Sequence, residues 1–161
     1  MANVDFKDLK SLEKYLQGQI NSSLQIDVAK DVVGLMKKNI ETEVYAKYTP
    51  SGTNQYERRR EDGGLLDDSN YLIEPIAEGV SITNITTDGG HSENFGDYIT
   101  DPNTWIVPII EYGKGYSWEN SLMYQKPFAR PFVSETREQL KSGLAKQFLK
   151  NSLSKKGLIV E

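Results

Sequence analysis

Apolar residues recur every three or four positions near the start of the chain. Phe6, Leu9, Leu12, Tyr15 and Leu16 are separated by Lys and Glu, which predicts an amphipathic helix over Asp5–Gln19. Asn21-Ser22-Ser23 reads as a break and a new N-cap. A second helix is predicted from about Leu24 to Ala46, with its apolar line at Leu24, Val28, Val32, Leu35 or Met36, Ile40 and Val44. Gly34 weakens it by roughly 1 kcal/mol relative to alanine and would permit a close helix crossing. Tyr48-Thr49-Pro50-Ser51-Gly52 closes the helical part, because proline restricts its predecessor and glycine invites a turn.

The pattern then changes. Tyr71–Ile76 and Val80–Thr86 read as short strands joined by a turn at Ala77-Glu78-Gly79. Residues 87–104 have no period and many turn formers, which predicts a long loop. Trp105–Tyr112 (WIVPIIEY) reads as the clearest strand, with Pro108 placing it at an edge or bulge. Gln125–Pro131 reads as an irregular connection. A final helix is expected from near Ser134, with Leu140, Leu144, Phe148 and Leu153 as its stripe and Gly157 at or beyond its end. Residues 155–161 then form a flexible tail. Helix, helix, strands, helix is an α+β order: a small antiparallel sheet packed with N-terminal helices and a C-terminal helix. At 161 residues the whole chain is expected to form one domain.

Composition narrows the functions. Net charge is -4, which argues against a nucleic-acid binder by overall charge. The absence of cysteine excludes disulfides and thiolate metal sites. No apolar run approaches the ~20 residues of a membrane helix, and the N-terminus lacks the pattern of a signal peptide, so a soluble protein without membrane contact is expected. Charge is unevenly placed. Glu61–Gly113 holds eleven acids and no Lys or Arg, whereas Val133–Glu161 holds six basic residues and three acids. Two such surfaces could meet in an oligomer, or could simply be solvated.

Candidate chemistry is thin. The one histidine, His91, lies in the long loop, an unsuitable place for a base that needs rigid orientation. Asp88, His91, Glu93 and Asp97 match neither a zinc helix nor a calcium loop. Glu111 and Lys114 are three apart, which on a strand sends them to opposite faces, so a nuclease strand is rejected and Glu111 reads as a rim charge. Gly63-Gly64 is followed by Leu65-Leu66 rather than Lys and Ser or Thr, so it is not a phosphate loop. No catalytic residue, metal or cofactor is expected. The segment QYERRREDGGLL remains. Arg58, Arg59 and Arg60 could contact phosphates while Tyr56 stacks on a base, but Glu57, Glu61, Asp62, Asp67 and Asp68 nearly cancel the local field. Arginines among carboxylates read better as ion pairs, within the chain or across an interface. Gly63-Gly64 would permit a tight turn and Leu65-Leu66 would anchor it to the core.

These motifs together resemble a known family. Tyr48-Thr49-Pro50, Tyr56-Glu57-Arg58-Arg59, Gly63-Gly64-Leu65-Leu66-Asp67 with Asn70, the run Val107–Gly113, and Ala129-Arg130-Pro131-Phe132 are similar in order and spacing to the tail-completion, or head–tail joining, proteins of tailed bacteriophages. These are also called neck or minor capsid proteins, "gp ten-like". The resemblance runs from the second helix to Leu149. It implies an α+β fold and a structural role in the virion neck, with host cytoplasm as the place of assembly. The implied assembly is a ring, six-fold in the virion, with the state of the isolated chain left open. Its implied partners are a head-completion protein and tail-tube or tail-terminator proteins, and DNA would pass through it. No catalytic residues carry over. The segments Tyr56–Asp67 and Ala129–Phe132 are implied to be structurally constrained, and Tyr56, Arg58, Arg59, Arg60, Gly63, Gly64, Leu65, Glu111, Arg130, Pro131 and Phe132 are the candidate interface or structural residues. A tail-terminator or head-closure ring is the alternative within this class. A small nucleic-acid-binding accessory protein using Arg58–Arg60 is the alternative outside it.

Overall fold

A computed structural model describes residues 6–47, 59–77, 79–87, 105–115 and 127–158. It is an α+β structure, with helices and one two-stranded antiparallel sheet. The expected Tyr48–Gly52 stop, Tyr56, Arg58 and the 88–104 part of the long loop lie outside the described residues.

Helix α1 spans Leu9–Ser22. Asp8 starts it through a reciprocal box: its carboxylate accepts the Ser11 N–H at 2.7 Å, and its own N–H donates to Ser11 Oγ at 3.3 Å. The Ser11 N–H holds the Asp8 carboxyl below the usual carboxylate range. The expected break at residues 21–23 does not occur. The helix continues through a wider π turn, Ser23–Val28, into α2, Ala29–Ile40, and ends in a second π turn, Glu41–Tyr45. A Ser can cap only where the backbone leaves the helix, and Ser22 and Ser23 both keep helical dihedrals. Ser23 is instead fully buried. The apolar line is as expected from Val28 on: Val28, Val32, Met36, Ile40 and Val44 are all buried, one every fourth residue. Gly34 marks no close crossing; it is exposed, and nothing would touch a Cβ there.

Strands β1, Tyr71–Ile76, and β2, Gly79–Asn84, form the hairpin. The Ile85 N–H donates to Asn70 O at 2.8 Å, which sets the register: Leu72 opposite Thr83, Glu74 opposite Ser81, Ile76 opposite Gly79.

The expected third strand is a helix. Residues Val107–Tyr112 form α3, and only Trp105 keeps an extended pairing, as an isolated antiparallel bridge to Thr87. A short apolar run cannot be assigned by period alone. Its punctuation decides for a helix. Pro108 lies in the first turn, where a missing N–H costs nothing, and Gly113 ends the helix in the left-handed region at φ 66.

The C-terminal helix begins before Ser134. Helix α4 spans Phe132–Gln139, a π turn covers Leu140–Leu144, and α5 spans Ala145–Lys155. Gly143 interrupts the run at φ 112. The end at Gly157 is as expected. Gly157 adopts φ 81, its N–H donates to Ser154 O at 3.0 Å, and the Leu158 N–H donates to Leu153 O at 3.1 Å, a Schellman stop. Leu153 is buried, while Leu140, Leu144 and Phe148 are half-buried.

The chain divides into two compact units. The first takes in residues 1–34, 73–82 and 138–161. In it α5 packs on α1 and on the π turn at 23–28. The Ser152 hydroxyl donates to Asp27 Oδ2 at 2.5 Å, and Lys156 Nζ donates to Ser22 Oγ at 3.0 Å. The second unit, residues 35–72 and 83–137, holds Met36, Ile40, Val44, Leu65, Leu66, Tyr71, Val107, Ile110 and Phe132 in its core.

Candidate functional site

All described candidate residues belong to the second unit. They form two arrangements there.

The first is the arginine–glycine turn. Gly63 adopts φ 68, and a Cβ on Gly64 would lie 2.2 Å from the Arg59 carbonyl oxygen. Only glycine fits that approach. The turn closes where the Leu66 N–H donates to Arg60 O at 3.0 Å. Its remaining polar groups are taken up by side chains. Asp67 accepts the Gly63 N–H at 2.7 Å and the Ser69 N–H at 2.8 Å. These donors, Gly63 foremost, hold the Asp67 carboxyl below the usual range. Asn70 Nδ2 donates to Gly64 O at 2.8 Å. Asn84 Nδ2 and the Tyr71 hydroxyl both donate to Leu65 O, at 2.9 and 2.8 Å. Asn84 Oδ1 accepts from the Thr86 hydroxyl, and Asn84 O accepts from Trp105 Nε1 at 2.9 Å. A buried loop backbone needs such partners, and here each comes from an element adjoining the turn. Leu65 and Leu66 are buried, as expected of anchors.

Arg59 and Arg60 both bind groups of their own chain. Arg59 Nη2 donates to Thr87 O at 2.8 Å, and Arg59 O accepts the Tyr45 hydroxyl at 2.9 Å. Arg60 pairs with Glu41, has Glu61 3.9 Å away, and stands 4.5 Å from the centre of the Tyr45 ring. The Glu41 hydrogen bond raises the Arg60 pKa further. Glu41 and Tyr45, one turn apart at the end of the second helix, thus receive the cluster. Sequence reasoning passed over both because it followed only the apolar line, although an acid and an aromatic four residues apart make a suitable seat for a guanidinium. Nearby, Lys37 pairs with Asp68 at 2.7 Å and stands 5.5 Å from the Tyr71 ring centre. Burial pushes the Tyr71 phenol pKa up.

The second arrangement joins α3 to α4. Glu111 is not a rim charge. It is 5% exposed, and its carboxylate accepts the Val133 and Ser134 N–H groups, both at 2.9 Å, together with the Ser134 hydroxyl. The reason lies in the proline. Pro131 O accepts the first helical bond, from the Glu135 N–H, so Pro131 occupies the N-cap position without a side-chain acceptor. A carboxylate from 22 residues away supplies it. Arg130 is buried, its guanidinium 5.7 Å from the Phe128 ring centre, and its N–H donates to Ile110 O at 3.1 Å. A Cβ on Gly113 would meet the Phe128 carbonyl at 2.2 Å. Phe132 is fully buried, and Asn39 Nδ2 reaches Thr136 Oγ1 at 2.9 Å.

Both arrangements hold the chain to itself. Among the described residues, no group of three His, Cys, Asp or Glu side chains could hold a metal ion, and no helix is long and apolar enough to cross a membrane.

The fold and these two arrangements define a small α+β protein whose most distinctive residues fasten its own backbone. The chain belongs to the YomN family, whose sequence profile matches residues 8–155. It is 28% identical over 152 residues to the SPbeta prophage-derived uncharacterized protein YomN of Bacillus subtilis (strain 168), covering 94% of each chain. It is therefore related to a prophage protein along nearly its whole length. No solved structure matches.

Proposed function

We propose that the protein is a structural component of a tailed-phage virion, placed at the head–tail interface as a tail-completion or head–tail joining protein. The observation that carries this reading is the end-to-end relatedness to a prophage-derived protein, 94% of each chain. The order of the turn motif, the IVPIIEYG run and the Ala129–Phe132 segment supports the neck in particular. In this role the chain assembles as a ring with head-completion and tail proteins as neighbours, and DNA passes through without a sequence-specific contact. A tail-terminator or head-closure position is the alternative within the same class.

Pairing of Arg59 with Thr87 O and of Arg60 with Glu41 weighs against the nucleic-acid reading. The Glu41 carboxylate offsets the charge that Arg60 would offer a phosphate. Duplex binding whose salt dependence disappears in Arg59→Ala and Arg60→Ala would favour that rival.

The direct test is a phage with this gene deleted. Filled heads and complete tails that fail to join, restored by supplying the protein, are the expected outcome. Infectious particles from the deletion, or purified virions lacking the protein by mass spectrometry, would refute the proposal.

A further inference from the structure

The hairpin is undercovered. After buried Tyr71, every residue of β1 is exposed, including Ile73 at 40% and Ile76 at 57%. These two isoleucines lie on opposite faces, so the strand is apolar on both sides and open on both. A strand of that composition ordinarily lies between layers. A two-stranded sheet alone is marginal in water and needs a third strand or a covering helix. Pro75 has no N–H to offer at the outer edge of β1, which disfavours strand addition there. A helix is the more suitable cover.

The charges specify which helix. Glu74 shares the Ile76 face of β1, is exposed, and has no ion-pair partner among the described residues. Within Glu61–Gly113 there is no cation to pair with it. On α5, Lys146 and Lys150 are exposed one turn apart, with Gln147 beside them, and neither lysine has an ion-pair partner among the described residues. Like charges at that spacing repel along a helix until an acid lies between them. Each chain therefore carries an uncovered acidic, apolar hairpin and an unneutralised basic helix face.

We propose that the β1 face bearing Glu74 and Ile76 docks the Lys146–Lys150 face of α5 from a second copy of this chain. Glu74 would lie between the two ammonium groups, and the helix would cover Ile76. The contact joins two different surfaces, so it repeats from copy to copy and closes a ring where the rotation allows. It names the self-partner of the structural reading above and rests on that reading for the presence of many copies.

The test exploits the lack of native cysteine. Full-length Ile76→Cys protein is mixed with Gln147→Cys protein and treated with a short bismaleimide. Product joining the two variants should exceed either self-product. Charge reversal by Glu74→Lys or Lys150→Glu should each weaken self-association in sedimentation roughly tenfold, and mixing the two reversed proteins should restore it to within about twofold. Circular dichroism checks that these exposed substitutions leave the fold intact. The proposal is overturned by wild-type protein that stays monomeric to about 0.5 mM, a limit that only weak association would escape. It is also overturned if self-products dominate, or if Lys150→Glu abolishes binding to duplex DNA while leaving association unchanged. Virions that contain the protein but lack this cross-link would refute the contact alone. A cross-link formed by a protein absent from virions would refute the neck reading alone.

Discussion

Replacement of Glu111 should be the most damaging single change of an acid in this protein. Its carboxylate stands in for the capping side chain that Pro131 lacks, accepting two backbone N–H groups and one hydroxyl of α4. Loss of an N-cap costs ~0.5–2 kcal/mol. Truncation to alanine also removes the packing of the one buried γ-methylene, at ~0.8 kcal/mol. Ser134 is exposed, so water can recover part of its bond, and the full penalty for a buried orphan donor does not apply. Glu111→Ala should therefore cost about 2 kcal/mol. For a chain of this length that lowers Tm by roughly 4–8 °C. Glu111→Gln keeps the methylenes and one acceptor and should cost about 1–2 kcal/mol. Urea denaturation gives the magnitudes, and native-state hydrogen exchange gives the location: the Val133 and Ser134 amides should lose protection before the rest of the second unit. Glu135→Ala supplies the control, because Glu135 is exposed in the same first turn and acts on the helix only through its dipole, at ~0.3–1 kcal/mol. A Glu111→Ala loss below about 0.5 kcal/mol, or a loss no greater than that of Glu135→Ala, would refute the capping argument.

Three further outcomes follow from the turn. Gly64→Ala should prevent the turn from closing, costing more than ~3 kcal/mol because the new Cβ meets rigid backbone at 2.2 Å, whereas Gly63→Ala should cost only ~1–2 kcal/mol of left-handed strain; equal chemical-denaturation midpoints for the two would contradict this. The lowered Asp67 pKa makes its contribution fully present above the ordinary carboxylate value of ~3.9 and lost as pH falls through the folded value, so Asp67→Asn should flatten the acid limb of the stability–pH curve, and an unchanged limb counts against it. Burial raises the Tyr71 pKa, so that contribution is fully present below the ordinary phenol value of ~10 and declines as pH rises above it. Tyr71→Phe should lose ~1 kcal/mol near neutrality, from the bond to Leu65 O, yet lose less on going to alkaline pH than wild type does; parallel curves would show the phenol is not the cause.

The long second helix, the hairpin, the Gly157 stop and the Leu65-Leu66 anchors were legible in the sequence. Each rests on a local signal: a four-residue apolar spacing, alternation around a short turn, a glycine past the last helical residue, or an apolar pair after a glycine turn. Local periodicity and backbone sterics act within a few residues, so they survive without knowledge of the fold. The α+β class follows from the order of such elements. For the arginines the sequence left pairing within the chain and pairing across an interface both open, and Thr87 O and Glu41, which bind Arg59 and Arg60, lie outside the flanking acids.

Tertiary structure decided the rest. WIVPIIEY satisfies either period over so short a run; Pro108 and Gly113 are its local marks of a helix, and the close approach of Gly113 to the Phe128 backbone holds that end in place. The break expected at residues 21–23 vanished because Ser23 is buried within a π turn on which α5 packs, and burial against another element outweighs a serine's preference for a cap. Glu111 is the clearest case. Nothing near it in sequence needs a carboxylate; the need arises 22 residues away, at a helix start whose N-cap is proline. Pairings of that kind depend on which distant groups the fold brings within 3 Å, and a one-dimensional pattern holds no record of them.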